Sequence, residues 1–584
     1  MAISNHTQAI DPGAIRRLDG LSDTDTEDIL DDIYARIHVD VDGFLDKYFL
    51  SPSSASAPPP TASAFLKWLA AHLADDANGG RWKLSLPAKA TVDNAAGADL
   101  VLLRPTEPDA AAQSQWARVG VIGQFSRENG PAEYEEGFLR FCNQARDVFA
   151  NQPTRFFIHG FYICGQTMEL WVFDRSGMYS SSAIDIQSEF NQFLSVIDHY
   201  ALLDDEELGI AQVLKADKIG QFVETHGSHA EGLERLYLEH KPIARSENLF
   251  GPGTTAYRAK LPKSDRWSHV VKFKWRTKND GKEEDILQVI KEKNVWGVTS
   301  IDYYEYITRT SYLRGGLQYS SYRRFVPDLG KKDELVKTWD SSEQDIYDYT
   351  EESGKPFEDL ILTCVVTSPV ARSLRSFKSR TELLEALRDA IKAHRSLLTD
   401  ARIIHQDIST GNILITDAPR DDEPRGILID LDVATQLDSG RSNAREITGT
   451  PPFMAIDVLK GRRHTYRHDL ESFFYVFVWV LISNGDDDPP DSSRLQKWVG
   501  ESFDDLAEQK LKDMRKEDFA TIIAEFPPEF ESLRGSAEEI RQILFKSRDG
   551  SSLWTGTDGS SEAMQDMYRR IIDVFDRAIT SNRL

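Results

Sequence analysis

The sequence predicts an α+β protein built from several units, and three observations carry that reading. Its 584 residues suggest about four domain-sized pieces at roughly 150 residues each. Residues 86–215 interleave strand-like and helix-like segments in a compact strand–strand–helix–strand–strand order. From residue 243 onward short strands come first and helices follow, so the two kinds of element are segregated rather than alternating.

The elements follow from pattern. Residues 22–38 (SDTDTEDILDDIYARIH) read as a helix, with Ser, Thr and Asp at the start and Ile29, Leu30, Ile33 and Ile37 at three- and four-residue spacing. Residues 51–63 (SPSSASAPPPTAS) read as a linker, because prolines and small polar residues build neither a ladder nor a core. A short apolar helix is expected at 64–74. In the α/β unit, strands are expected at 99–104, 118–125, 155–163 and 168–174, with helices at 131–151 and 184–202. Strands at 254–260, 268–275 and 360–367 and a helix at 282–292 come next, with an acidic, turn-rich insertion at 325–357. Helices are expected at 379–399, 469–483, 502–515, 535–547 and 560–580. The chain thus divides into a helical segment with linker (1–85), an α/β domain (86–215), a β-rich lobe (243–367) and a helical lobe (368–584).

Composition narrows the classes. With 40% apolar and 28% charged residues the chain is globular rather than disordered. A net charge of −25 argues against a surface built to hold nucleic acid or anionic lipid. Cys142, Cys164 and Cys364 are far apart and form no CxxC pair, which argues against a zinc ribbon or disulfide framework and fits a reducing compartment. The N-terminus shows no apolar h-region. The longest apolar run, Phe473 to Ile482, is ten residues, too short to span a bilayer. A cytoplasmic or nuclear protein with no membrane partner is expected.

The stretch IIHQDISTGNILI (403–415) carries the chemistry. Phosphoryl transfer needs a carboxylate to orient the attacking hydroxyl and oxygen ligands to hold Mg²⁺. Asp407 and Asn412 have the HxDxxxxN spacing of a kinase catalytic loop. Eighteen residues beyond Asn412, GILIDLDVAT places Asp430 at the end of an apolar strand, where the magnesium-binding Asp of a DFG motif would stand. A lone HxD is more often a turn Asp beside a packed His; two such segments in order, each flanked by apolar strands, reverse that reading. Downstream, ITGTPPFMAIDVL (447–459) is similar to the end of a protein-kinase activation segment, and Asp469 opens the apolar helix LESFFYVFVWVLIS.

On these motifs residues 243 to 500 resemble the protein-kinase superfamily, and the chain is most similar to the fungal-type protein kinase family. The marks are D-I-S after the HxD histidine, D-L-D for DFG, G-T-P-x-F-M-A-I, and H-D-L-E-S at 468–472. Upstream, Gln152-Pro153-x-Arg155 and Phe173-Asp174-Arg175-x-Gly177 look like the same family's N-terminal region. The resemblance implies a bilobal kinase-like fold, ATP and Mg²⁺ as cofactors, and a protein substrate phosphorylated on Ser or Thr. By the same resemblance Asp407 orients the hydroxyl, while Asn412 and Asp430 hold magnesium. Lys272, after Val270-Val271, contacts the phosphates, with Glu283 as its ion-pair partner and Glu284 as the fallback. Gly251, Gly253 and Thr254 in FGPGT belong to a glycine-rich loop, and Asp469 holds the catalytic-loop backbone.

The sequence departs from the family pattern in four places. Gln406 replaces the Arg of HRD, Ser409 stands where a Lys is usual, Asp432 replaces the Gly of DFG, and Asp457 replaces the Glu of APE. Missing a cation near the phosphoryl group weakens transition-state stabilisation, which keeps a pseudokinase or nucleotide-binding scaffold as the alternative. A small-molecule phosphotransferase fits less well, because residues 447–469 read as an activation segment. Thr450 favours Ser/Thr over Tyr specificity. Ser439, Ser442 and Thr448 are candidate modification sites. In the α/β domain, Asp99 with Gln124-x-Ser126 is similar to a decayed nuclease core whose Glu and Lys are absent, so a regulatory or docking role is expected there.

Overall fold

The structure is a computed structural model. It describes residues 28–583 apart from 31, 34–35, 50–64, 75–82, 86–96, 105–114, 128–130, 227–232, 278–282, 318–320, 324–357, 418–422, 438–446, 501 and 549–551. The expected linker at 51–63, the insertion at 325–357, Ser439 and Ser442 lie outside the described residues. The fold is α+β, in two units. The first comprises Met1–Arg266, Val271–Lys278 and Glu305–Val365, and the second Trp267–Val270, Asn279–Tyr304 and Val366–Leu584.

The first unit holds a nine-stranded sheet. Its order is Ser321–Arg323, Ile37–Val39, Gly177–Ser180, Thr167–Asp174, Phe157–Cys164, Val119–Ser126, Gly97–Leu103 and Lys83–Ser85, with Ile184–Asp185 also on Thr167–Asp174. Val119–Ser126 and Phe157–Cys164 run parallel. A parallel pair needs a crossover, and the helix Pro131–Asn151 between them supplies it. Alternation along each strand sends side chains to opposite faces. Leu100 and Leu102 pack with Phe65, Leu69, Phe193 and Tyr200 of two helices, whereas Val101 packs with Phe138, Phe141 and Phe149 of the crossover helix.

The other large sheet has eight strands lying in whole or in part in the first unit. Its order is Ser300–Arg309, Leu360–Ser368, His269–Thr277, Thr255–Lys260, Leu233–Leu238, Gln221–His226 and Lys215–Ala216, with Ala244–Arg245 also on Thr255–Lys260. The second unit is mainly helical and centres on Tyr466–Ser483, all eighteen residues of which are buried. Its apolar circumference is the reason for the long run in the sequence: a helix apolar all round belongs in the middle of a domain. Among the described residues no helix is long and apolar enough to cross a membrane. The three cysteines are buried and form no disulfide.

Three expectations need correction. The helix expected over 22–38 stops short, because Ile37–Val39 is a strand paired with Gly177–Ser180 and Ser321–Arg323; partners distant in sequence override the local period. The helix expected from 184 begins at Phe190, since Asp185 accepts the N–H groups of Gln187 and Ser188 in a turn. The helix expected to reach 547 ends at Leu544, ahead of the strand Lys546–Arg548. Strands Gln221–His226, Leu233–Leu238 and Ser300–Arg309 and the helix Lys516–Ile523 carry too little pattern to read from sequence.

Candidate active site

The site residues of the second unit are gathered by one short hairpin. The helix Arg380–Ala401 ends at Arg402 in the left-handed conformation, and Ile403–Ile404 then pairs with Thr435–Gln436. Ile413–Thr416 runs antiparallel to Gly426–Leu428, with Ile413 opposite Leu428. Closing that ladder sets the residue before one strand beside the residues after the other. The Ile429 N–H donates to the Asn412 carbonyl at 3.1 Å, so Asn412 and Asp430 are neighbours although eighteen residues apart.

The catalytic-loop carboxylate is fully engaged. Asp407 Oδ1 accepts from the Thr450 N–H (3.0 Å) and hydroxyl (2.8 Å), and Oδ2 accepts from Asn412 Nδ2 (3.0 Å). The same amide nitrogen donates to the Asp407 carbonyl at 2.8 Å. His405 is buried and held by its backbone surroundings. Nε2 donates to the Ile429 carbonyl at 3.0 Å, which leaves Nδ1 to accept the Asp407 N–H at 3.3 Å. Burial lowers the His405 pKa, against the pull of Asp469 and Asp407, in keeping with this neutral tautomer. Gln406 and Asp430 both have positive φ, 69° and 61°, an uncommon conformation for non-glycine residues and one concentrated at functional sites.

Asp469 holds this loop from below, as the resemblance implies. It is fully buried and accepts from the N–H groups of His405 (3.1 Å) and Gln406 (3.2 Å). It also accepts from Nε2 of His394 and of His464, each at 2.7 Å. Burial pushes its carboxyl up, but His464 and His394 overcome that and hold it well below the ordinary range. Nδ1 of His394 lies 2.6 Å from the Tyr568 hydroxyl, which ties the helix Ser561–Arg583 to the loop. Neither His394 nor Tyr568 carries a local sequence signal: His394 sits mid-helix, and Tyr568 lies beyond every motif.

Glu283 opens the helix Glu283–Lys293. One carboxylate oxygen from each of Glu283, Asp430 and Asp432 lies within 4.8 Å of the others. Three carboxylates so close disfavour one another's charge unless a cation is shared. The all-oxygen donor set suits a hard divalent ion such as Mg²⁺. Lys272 sits on the strand His269–Thr277 in the first unit, half-buried between the buried Val271 and Phe273.

Gly251, Gly253 and Thr254 lie in the loop 246–254, between Ala244–Arg245 and Thr255–Lys260, which pair antiparallel. The Gly251 N–H donates to the Arg175 carbonyl at 2.8 Å. A Cβ on Gly253 would stand 2.7 Å from Arg175 Cζ. Both glycines have positive φ, 93° and 50°, and at Gly253 Arg175 leaves no room for a side chain. Leu249 and Phe250 at the loop tip are buried with Phe141, Phe149 and Phe173.

The activation segment is anchored by residues the sequence does not advertise. Asp457 accepts from the Thr555 hydroxyl at 3.0 Å and faces Arg462 at 3.5 Å. The Ile456 N–H goes instead to Glu471 Oε1 at 2.8 Å, and Glu471 is paired with the equally buried Arg467 at 2.6 Å. Lys510, wholly buried, donates to the carbonyls of Pro451 (3.0 Å) and Met454 (2.7 Å). In the first unit Asp99 stands opposite Gln124 in the strand register, and the amide of Gln144 donates to Gln124 Oε1 at 3.3 Å; with glutamine and serine at 124 and 126, no nuclease ligand set is assembled there.

An Asp bonded to an Asn five residues on, with that Asn beside the segment that carries Asp430, is the arrangement that a protein-kinase type of site calls for. The profile of the fungal protein kinase family matches residues 98–481. That span is most of the chain and includes much of the nine-stranded sheet, and the chain belongs to this family. The chain is also similar to the serine/threonine-protein kinase/endoribonuclease ire-1 of Caenorhabditis elegans, with 26% identity over 171 residues, 27% of this chain and 17% of that protein.

Proposed function

We propose that the chain is a kinase that transfers the γ-phosphate of ATP to Ser or Thr hydroxyls of protein substrates, with Mg²⁺ as the metal. The observation that carries this is the bonding of Asp407 to both Asn412 and Thr450. Two donors on the same carboxylate hold it in one orientation, as a group that orients an attacking hydroxyl needs. Asp407 would accept the proton of the attacking hydroxyl as the phosphoryl group moves. Asn412 and Asp430, with Asp432 and Glu283 close to Asp430, would hold magnesium, which when bound offsets phosphate charge. Lys272 would contact the phosphates. Residues 243–367 and 368–584 are then the two lobes, and 86–215 a regulatory part of the same enzyme.

Asp407→Asn tests this reading. It keeps the shape and removes the base, so γ-phosphate transfer to a generic protein substrate should be lost while MgATP binding, read by calorimetry, persists. Robust transfer by this variant refutes the assignment. Engagement of the loop glycines by Arg175, together with Gln406 and Ser409, favours one second reading, a nucleotide-binding scaffold. Wild-type protein that binds MgATP and transfers no phosphate would select it.

A further inference from the structure

The turn Asp174–Gly177 lies between two strands of the nine-stranded sheet, and its two charged residues bond segments of the same unit that lie outside the strands, Arg314 and the loop 246–254 among them. Asp174 is fully buried and accepts from Arg314 through Nε at 2.7 Å and Nη2 at 2.5 Å. Arg175 is 1% exposed. Its guanidinium donates to the carbonyls of Asn248 (2.9 Å), Leu249 (3.4 Å) and Phe149 (3.4 Å) and lies 4.2 Å from the centre of the Phe149 ring. Its own carbonyl accepts the Gly251 N–H. On the other side of the loop tip, Asp32 accepts the Leu249 N–H at 2.7 Å. The loop passes this constraint on: the Pro252 carbonyl accepts from the N–H of Trp275 at 2.8 Å, three residues along the strand from Lys272.

We infer that Arg175 is a positioning residue for nucleotide binding, acting through the loop 246–254 on the strand that carries Lys272. A buried guanidinium that bonds two carbonyls of the loop and one of the crossover helix ties the loop to that helix, and lysine cannot reproduce this planar arrangement. The sheet domain is then a built-in part of the nucleotide half of the enzyme. The inference rests on the kinase reading of Lys272, and the experiment keeps the two apart.

In the full-length chain, Arg175→Lys retains charge and loses the fork, while Gly253→Ala keeps Arg175 and forces the loop off it. Both should weaken MgATP binding and raise the KM for ATP by roughly tenfold to a hundredfold, with the KM for a protein substrate unchanged. A purely structural role would lower the melting temperature of both variants and leave that KM split at its wild-type value, which overturns the inference. Wild-type protein with no affinity for MgATP would instead refute the kinase reading, and this inference with it.

Discussion

Replacing Lys510 by Met gives the sharpest test of the buried electrostatics. The amine lies 4.6 Å from the Tyr475 ring centre and 5.5 Å from that of Trp498, with two carbonyls as acceptors. Burial pushes its pKa from an ordinary 10.5 down to about 7, with the charge of Glu471 opposing. The folded chain therefore releases this proton at lower pH than the unfolded chain. Between those two values the unfolded chain binds more protons, so stability rises with pH across the window. One group contributes about 1.4 kcal/mol per pH unit there, on the order of 5 kcal/mol over the whole span. Methionine fills the space with no titration. Urea unfolding of both proteins at about pH 7.5 and about pH 9.5 should show the variant losing roughly 2–3 kcal/mol relative to wild type between the two conditions. Equal pH slopes would refute the argument. Because Pro451 and Met454 follow Thr450, the variant should also show reduced phosphate transfer.

Two further substitutions probe the frame around the site. Asp32→Asn should stabilise the protein at neutral pH: burial raises this carboxyl from 3.8 to about 6, against the Leu249 N–H and the charges of Arg36, Arg146 and Arg175. The stability it contributes is complete below the unfolded value and lost as pH rises through about 6. Asparagine still accepts the Leu249 N–H, so the variant should gain up to about 3 kcal/mol at pH above 7 and nothing near pH 4; no gain at neutral pH in urea titrations would show the reasoning wrong. Tyr568→Phe leaves Nδ1 of His394 buried without its hydroxyl partner and should cost about 1–3 kcal/mol, and a variant as stable as wild type would mean that His394 finds another partner.

The chemistry-bearing loops were legible because each is local. Asp407 and Asn412 share one turn, and Asp430 follows the second of two apolar segments; the pairing of these as Ile413–Thr416 and Gly426–Leu428, which closes on Asn412, is a finding of the structure. The crossover helix Pro131–Asn151 was legible for the same reason, since its period is strong and its ends are marked. Ser300–Arg309, by contrast, is half-buried along most of its length, so its alternation is blurred and no pattern marks it. Ile37 has the spacing of a helix and becomes a strand because two partners far along the chain take up its hydrogen bonds.

By itself the sequence determined the fold class and the family and named the candidate site residues, because motif spacing and side-chain period are properties of neighbouring residues. Only the tertiary structure decided what holds those groups. His394 and Tyr568 around Asp469, Lys510 under the activation segment, and Arg175 beneath the loop 246–254 all act across long sequence separations. A buried polar group must find a partner wherever packing brings one, and which partner arrives is a property of the assembled core, not of any segment.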